Sequence, residues 1–118
     1  MNKPMPTLID LDMLTELYPA PEARRQFLRR AVELMQEDRL AMQDALTRHA
    51  YVQAGELAHR LQGSAAFLTG KPEQSAAILL PLGQAIRQDL PADFRDMQAT
   101  AMDYLLALES AIGQLIGD

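Results

Sequence analysis

Apolar residues recur at three-and-four spacing along most of this chain, and each such run predicts an amphipathic helix. The first is short. Asp10 is a helix-capping residue type, and Leu11, Leu14 and Leu17 or Tyr18 give one apolar side to a helix ending near Tyr18. Pro19-Ala20-Pro21 stops it, because proline cannot continue a helix and disfavours helical geometry before it. A long helix follows from about Glu22 to Thr47, striped by Phe27, Leu28, Ala31, Leu34, Met35, Met42, Ala45 and Leu46. The next run, from about Ala50 to Thr69, buries Leu57, Leu61, Ser64 and Leu68, with Ala54 and Ala65 flanking. Gly70 is its C-cap and Pro72 opens the following helix, which runs from about Glu73 to Asp89 on Ala76, Leu79, Leu82 and Ile86. Pro81 lies inside that helix and predicts a kink or a break. Leu90-Pro91-Ala92-Asp93 is the last connection. The final helix, from about Phe94 to Ile116, repeats Phe94, Met97, Ala101, Tyr104, Leu105, Leu108, Ile112 and Leu115 as a bundle seam.

Short connections between long amphipathic helices favour antiparallel neighbours. The expected fold is therefore all-α: an antiparallel up-down-up-down four-helix bundle with a short extra N-terminal helix. One domain is expected to span residues 1–118, with residues 1–6, which carry two prolines, as a flexible tail. No strand-like alternation or internal repeat competes with this reading.

Composition narrows the chemistry. The chain has 118 residues and no cysteine, so no disulfide framework or thiol site is available. A net charge of −5 argues against sequence-independent nucleic-acid binding, which needs a basic surface. Arg24, Arg25, Arg29 and Arg30 form a local basic patch, read as a solvated face with ion pairs to nearby acids. No apolar run is long enough to span a bilayer, and Met-Asn-Lys-Pro-Met-Pro lacks the apolar core of a signal peptide, so a cytoplasmic chain without membrane contact is expected. Phosphate-loop, nucleophile-elbow and zinc-helix patterns are missing. The two histidines lie ten residues apart, not at the four-residue spacing of a helical metal site, so no metal site is expected. His49 falls at the end of the long helix, where it caps that helix or faces solvent.

His59 is different. At 100° per residue it shares a face with Val52, Gly55, Glu56, Gln62, Gly63, Ala66 and Gly70, away from the leucine stripe. Gly55 lies one turn before it and Gly63 one turn after. A glycine inside a helix costs roughly 0.5–1 kcal/mol relative to alanine, so two of them bracketing an exposed imidazole suggest a clearing for a large partner. An imidazole is mostly neutral at cytoplasmic pH, and attack on phosphorus asks for little beyond a free ring nitrogen and in-line access. Phe67 lies about 80° round from His59 and either joins a docking surface or packs on a neighbouring helix.

The segment Ala58-His59-Arg60-Leu61-Gln62-Gly63-Ser64-Ala65 resembles the signature of histidine-containing phosphotransfer domains, Ala-His-x-Leu-Lys-Gly followed by small residues. Leu8-Ile9-Asp10-Leu11-Asp12-Met13-Leu14 resembles that family's short N-terminal helix, and His49-Ala50-Tyr51 its turn before the histidine helix. The whole is similar to the C-terminal modules of hybrid sensor histidine kinases. The resemblance implies that His59 is the phosphoacceptor, that Gln62, Gly63 and Arg60 neighbour the phosphoryl group, and that Val52, Gly55, Glu56, Ala66 and Phe67 dock a receiver domain. It implies that Nε2 takes the phosphoryl group while Gln84 or Gln88 orients the ring through Nδ1. It further implies a bundle with no bound cofactor, Mg²⁺ supplied by the receiver, no kinase catalytic domain, and a monomer whose partners are a response-regulator receiver, a hybrid sensor histidine kinase, or both. The chain departs from the family at Gln62, where a lysine is usual. Gln62 donates hydrogen bonds but brings no charge, and Arg60, about 100° round the helix, is an imperfect substitute. Two rival readings are a degenerate module that binds a receiver or kinase without carrying phosphate, and a plain helical adaptor whose histidine is incidental.

Overall fold

The computed structural model describes residues 8–87 and 91–117 and is all-helical across them. Five helices follow in order: α1 (Leu11–Leu17), α2 (Pro21–Thr47), α3 (Tyr51–Thr69), α4 (Pro72–Arg87) and α5 (Phe94–Ile116). The expected tail at residues 1–6, the far end of the fourth helix at Asp89 and the start of the last connection at Leu90 lie outside the described residues.

Local chemistry sets the helix ends. The Asp10 carboxylate accepts from Met13 N at 3.1 Å, a cap that stabilises α1 by about 1 kcal/mol. Arg24 donates to the backbone oxygens of Tyr18 at 2.8 Å and Pro19 at 3.3 Å, which ties the chain across the break before α2. Pro21 opens α2, where its missing N–H removes nothing the helix would use. At the far end of α2, His49 takes φ of +60°, the left-handed geometry usually given to glycine. His49 N donates to Leu46 O at 3.2 Å and Ala50 N to Ala45 O at 2.8 Å, the paired bonds of a Schellman motif. The turn is thus closed by the backbone of His49 itself, while its exposed ring meets Tyr51 Oη through Nδ1 at 2.6 Å.

The helices share one core. Leu14, Leu28, Met35, Met42, Leu61, Leu79, Leu82, Leu105, Leu108 and Ile112 are all buried in it. In space α2 packs against α3 and α5, and α4 packs against the same two helices, while α1 rests on α2. A polar contact crosses the α2–α5 seam: Arg39 grips Glu109 with Nε–Oε2 at 2.6 Å and Nη2–Oε1 at 3.1 Å, both side chains being largely buried.

Four expectations about packing change. Leu34 belongs to the α2 stripe by spacing but is exposed. Leu11 and Leu17 are exposed too, so α1 is anchored by Leu14 together with Ile9. Ser64 does not join the buried side of α3; it is exposed, and Ala58 is buried in its place. Pro81 does not break α4, which continues through it to Arg87. Leu79 and Leu82 are buried on either side of the proline and Ile86 one turn on, and their burial outweighs the local cost of the missing backbone donor.

Tyr104 carries a buried hydroxyl with no hydrogen-bond partner among the described residues. Burial pushes this phenol above its usual pKa, with the neighbouring Thr69 side chain acting weakly the other way. The Thr69 hydroxyl is already committed, donating to Ala65 O at 2.8 Å and accepting from Lys71 N at 3.1 Å.

Candidate functional site

The site is built on α3. Leu57, Leu61 and Leu68, with Ala54, Ala58 and Ala65, turn one side of that helix into the core. His59 is therefore exposed near the middle of the helix, and its ring makes no hydrogen bond to a described residue. The helix is stopped by Gly70, whose φ of +66° suits the left-handed C-cap position and whose N–H donates to Ala66 O at 3.0 Å.

The two bracketing glycines do different things. A Cβ at Gly63 would meet nothing within 4 Å, so the surface one turn beyond His59 is open. Gly55 is buried, and a Cβ there would lie 3.8 Å from Ile86 Cγ2 of α4, an ordinary contact. Gly55 is thus a point of contact between α3 and α4.

His59 borders a shallow depression between α3 and α4, lined by Gly55, Ala58, His59, Gln62, Leu79, Leu80, Gly83 and Gln84. Its volume is about 70 Å³, well under the roughly 300 Å³ at which small-molecule sites begin. A reactant reaching the imidazole here is more naturally a group carried on another macromolecule than a small molecule held by this chain. A wider, open hollow of about 400 Å³ lies nearer the start of α3, lined by Tyr51, Val52, Gly55, Glu56 and Ile86.

Of the expected phosphoryl neighbours, Gln62 and Gly63 stay near His59: Gln62 is half-buried in the same depression and Gly63 is exposed. Arg60 does not. Its guanidinium is bonded to the Asp38 carboxylate of α2. His59 and Arg60, adjacent in sequence, therefore serve opposite grooves, His59 the one toward α4 and Arg60 the one toward α2. No residue lining the His59 depression carries a full charge apart from the imidazole when protonated.

Gln84 is brought into the depression from α4 but makes no hydrogen bond to His59 among the described residues. Gln88 lies outside the described residues. Val52 is 81% exposed, Glu56 is exposed and Ala66 half-buried. Phe67 packs on a neighbouring helix and stays partly exposed. Its ring packs edge-on against Phe27 of α2 at 6.0 Å between centroids, yet 47% of the residue remains exposed. With Arg30, Ala31, Leu34, Ser64 and Leu68, these two rings line an apolar hollow of about 200 Å³ between α2 and α3.

The basic patch at the start of α2 behaves as expected of a solvated face. Arg25 pairs with Glu22 at 3.2 Å and Arg30 with Glu33 at 3.6 Å, while Arg24 is spent on backbone carbonyls. Sequence reasoning missed Asp38, Arg39 and Glu109. Their signal was a charged residue at a seam position: 38 and 39 fall between Met35 and Met42, and 109 between Leu108 and Ile112. Among the described residues no helix is long and apolar enough to cross a membrane. Comparison of the chain with protein-family models, with curated proteins and with solved structures finds no match in any of the three.

Proposed function

We propose that this chain is a phosphorelay intermediate of two-component signalling, taking a phosphoryl group on His59 from a receiver-domain aspartate and passing it to another response regulator. The observation that carries the reading is the exposed, unbonded His59 ring on α3 beside the open surface at Gly63. The proposed arrangement of α2 to α5 is an antiparallel up-down-up-down bundle. It would give α3 a rigid support on both sides, as a docked nucleophile needs.

The chemistry asks little of the chain. The lone pair of Nε2 attacks phosphorus as the P–O bond to the receiver aspartate breaks. The aspartate carboxylate leaves with the bonding electrons, and the Nδ1 proton passes to solvent. Mg²⁺ and the cation that steadies the transferring group would come from the receiver. Gln84, which lines the depression that His59 borders, is a candidate to orient the ring. The receiver would rest on Val52, Glu56, Ala66 and Phe67. No kinase domain is invoked, and this chain would act as a phosphotransfer protein rather than an enzyme, in the cytoplasm, as a monomer.

The test mixes the purified chain with a phosphorylated receiver domain and Mg²⁺ and follows the label, with His59→Gln alongside. An acid-labile, base-stable adduct on the wild type alone supports the relay. No transfer from any receiver tried, with the helical fold intact, overturns it.

One observation favours a second reading. With Gln62 neutral and Arg60 bonded to Asp38, the site offers no cation of its own to a phosphoryl group. A degenerate module would bind a receiver or kinase without carrying phosphate. Receiver binding that survives His59→Gln, with no transfer by the wild type, would select it.

A further inference from the structure

We propose that Asp38 sets the balance of phosphotransfer at His59 by holding the Arg60 guanidinium in the α2–α3 groove, away from the phosphoryl site. The inference rests on the His59 reading above. Asp38 projects from α2 with only 13% of its side chain exposed, whereas the Arg60 side chain is 66% exposed. The anchor is thus the fixed partner and the arginine the movable one. Arg60 is the residue directly after His59, and its guanidinium sits at the end of a flexible three-methylene stem. Freed from Asp38, its long stem would have to swing about 100° round the helix to bring the guanidinium toward a group on the His59 ring.

Electrostatics then give Asp38 its leverage. A phosphorylated imidazole carries up to two negative charges beyond the ring, yet the depression around His59 is lined by glycine, alanine, leucine and glutamine. Gln62 and Gln84, which line the depression, could offer phosphoryl oxygens only neutral amide donors, roughly half as strong as a charge-assisted bond. Phosphohistidine held this way lies high in free energy. The P–N bond breaks readily as the receiver's carboxylate oxygen forms its bond to phosphorus, and the electron pair returns to Nε2. With Arg60 at the phosphoryl group instead, phosphohistidine would be stabilised and outward transfer disfavoured. Asp38 is therefore a positioning residue: it touches no reacting atom and acts through Arg60.

The test needs no cognate receiver for its first step. Phosphoramidate phosphorylates His59 directly in the wild type, Asp38→Asn, Arg60→Gln and the double variant, with circular dichroism confirming the fold of each. Phosphorus NMR then follows the second ionisation of the phosphoryl group. A receiver domain added afterwards reads the transfer equilibrium. In Asp38→Asn the phosphoryl ionisation moves to lower pH, and the equilibrium shifts toward phosphohistidine by about 3- to 5-fold, the range of an exposed charge interaction. Arg60→Gln alone stays near the wild type, and Asp38→Glu restores it. The double variant decides the mechanism. Its return to wild-type behaviour shows that Asp38 acts through Arg60, whereas persistence of the Asp38→Asn shift would mean that the Asp38 charge acts by itself and overturns the proposal. If Asp38→Asn matches the wild type, this inference alone falls. If phosphoramidate puts no phosphoryl group on His59, the relay reading falls with it.

Discussion

The carboxylate of Asp10 fills the space that a side chain at Gly70 would need: a Cβ at position 70 would lie 2.5 Å from Asp10 Oδ2. The same aspartate caps α1 through Met13 N, and its own N–H donates to Leu68 O at 2.8 Å. One residue thus starts the first helix and fastens it to the end of the helix that carries His59. Gly70→Ala meets both this contact and a φ of +66° and is expected to cost at least about 1–2 kcal/mol. Urea unfolding measures it. The loss should shrink in an Asp10→Ala background, where the steric part is gone and only the backbone part remains.

The buried pair Arg39–Glu109 joins α2 to α5, and removing one partner leaves the other charge stranded. Glu109→Ala is expected to destabilise the fold by about 3–5 kcal/mol. The double change Arg39→Met with Glu109→Leu should recover most of that loss, since an apolar pair of similar bulk strands no charge. Denaturant midpoints of the three proteins check both statements.

Gly63 has open space where a side chain would go. Gly63→Ala should therefore stabilise α3 by about 0.5–1 kcal/mol, the helix-propensity difference. Gly63→Leu should leave the fold intact and, under the proposed relay function, lower phosphotransfer at His59 at least 10-fold, because the bulk would lie where a receiver would approach. Thermal melts and a transfer assay on the same preparations separate the two effects. Transfer unaffected by leucine would remove Gly63 from the neighbourhood of the phosphoryl group.

Tyr104 gives the fold an alkaline sensitivity. Burial raises the folded-state pKa of this phenol above its unfolded value. Between the two values the unfolded chain has released the proton that the folded chain retains, so stability is full below about pH 10 and falls as pH rises above it. Tyr104→Phe removes the titration and the unpartnered hydroxyl together. It should unfold at the same or slightly higher denaturant at pH 7 and show a smaller loss of stability from pH 9 to pH 11 than the wild type. Equal losses in the two proteins would assign the alkaline sensitivity elsewhere.

Gln62 shares the depression with His59 and lacks a charge. Gln62→Lys places a cation one turn from the imidazole, where Arg60 does not reach while Asp38 holds it. The transfer equilibrium with a receiver should move toward phosphohistidine by about 3- to 10-fold. An unchanged rate and equilibrium would mean that the receiver alone supplies the electrostatic work.

Much of the fold was legible in the chain because helix formation is local. The capping carboxylate of Asp10, Pro21 at a helix start, Gly70 at a helix end and the seam from Phe94 to Ile116 act within a turn or two of themselves, and the elements fall where those residues put them. The outward direction of His59 followed from the same local periodicity, since the leucines of α3 must face the core. Which neighbour borders each exposed residue was not legible. A helical wheel separates core from surface, but it does not say that α4 lies over Gly55 and α2 beside Arg60. Those placements come from contacts between residues far apart in sequence. Asp38 reaches Arg60 from another helix, Arg39 and Glu109 join α2 to α5, and leucines buried on both sides of Pro81 carry α4 through a residue that would end an isolated helix. The sequence determined the helices and the side on which the imidazole stands. Tertiary packing decided what stands beside it, because burial and charge pairing depend on neighbours that local spacing cannot specify.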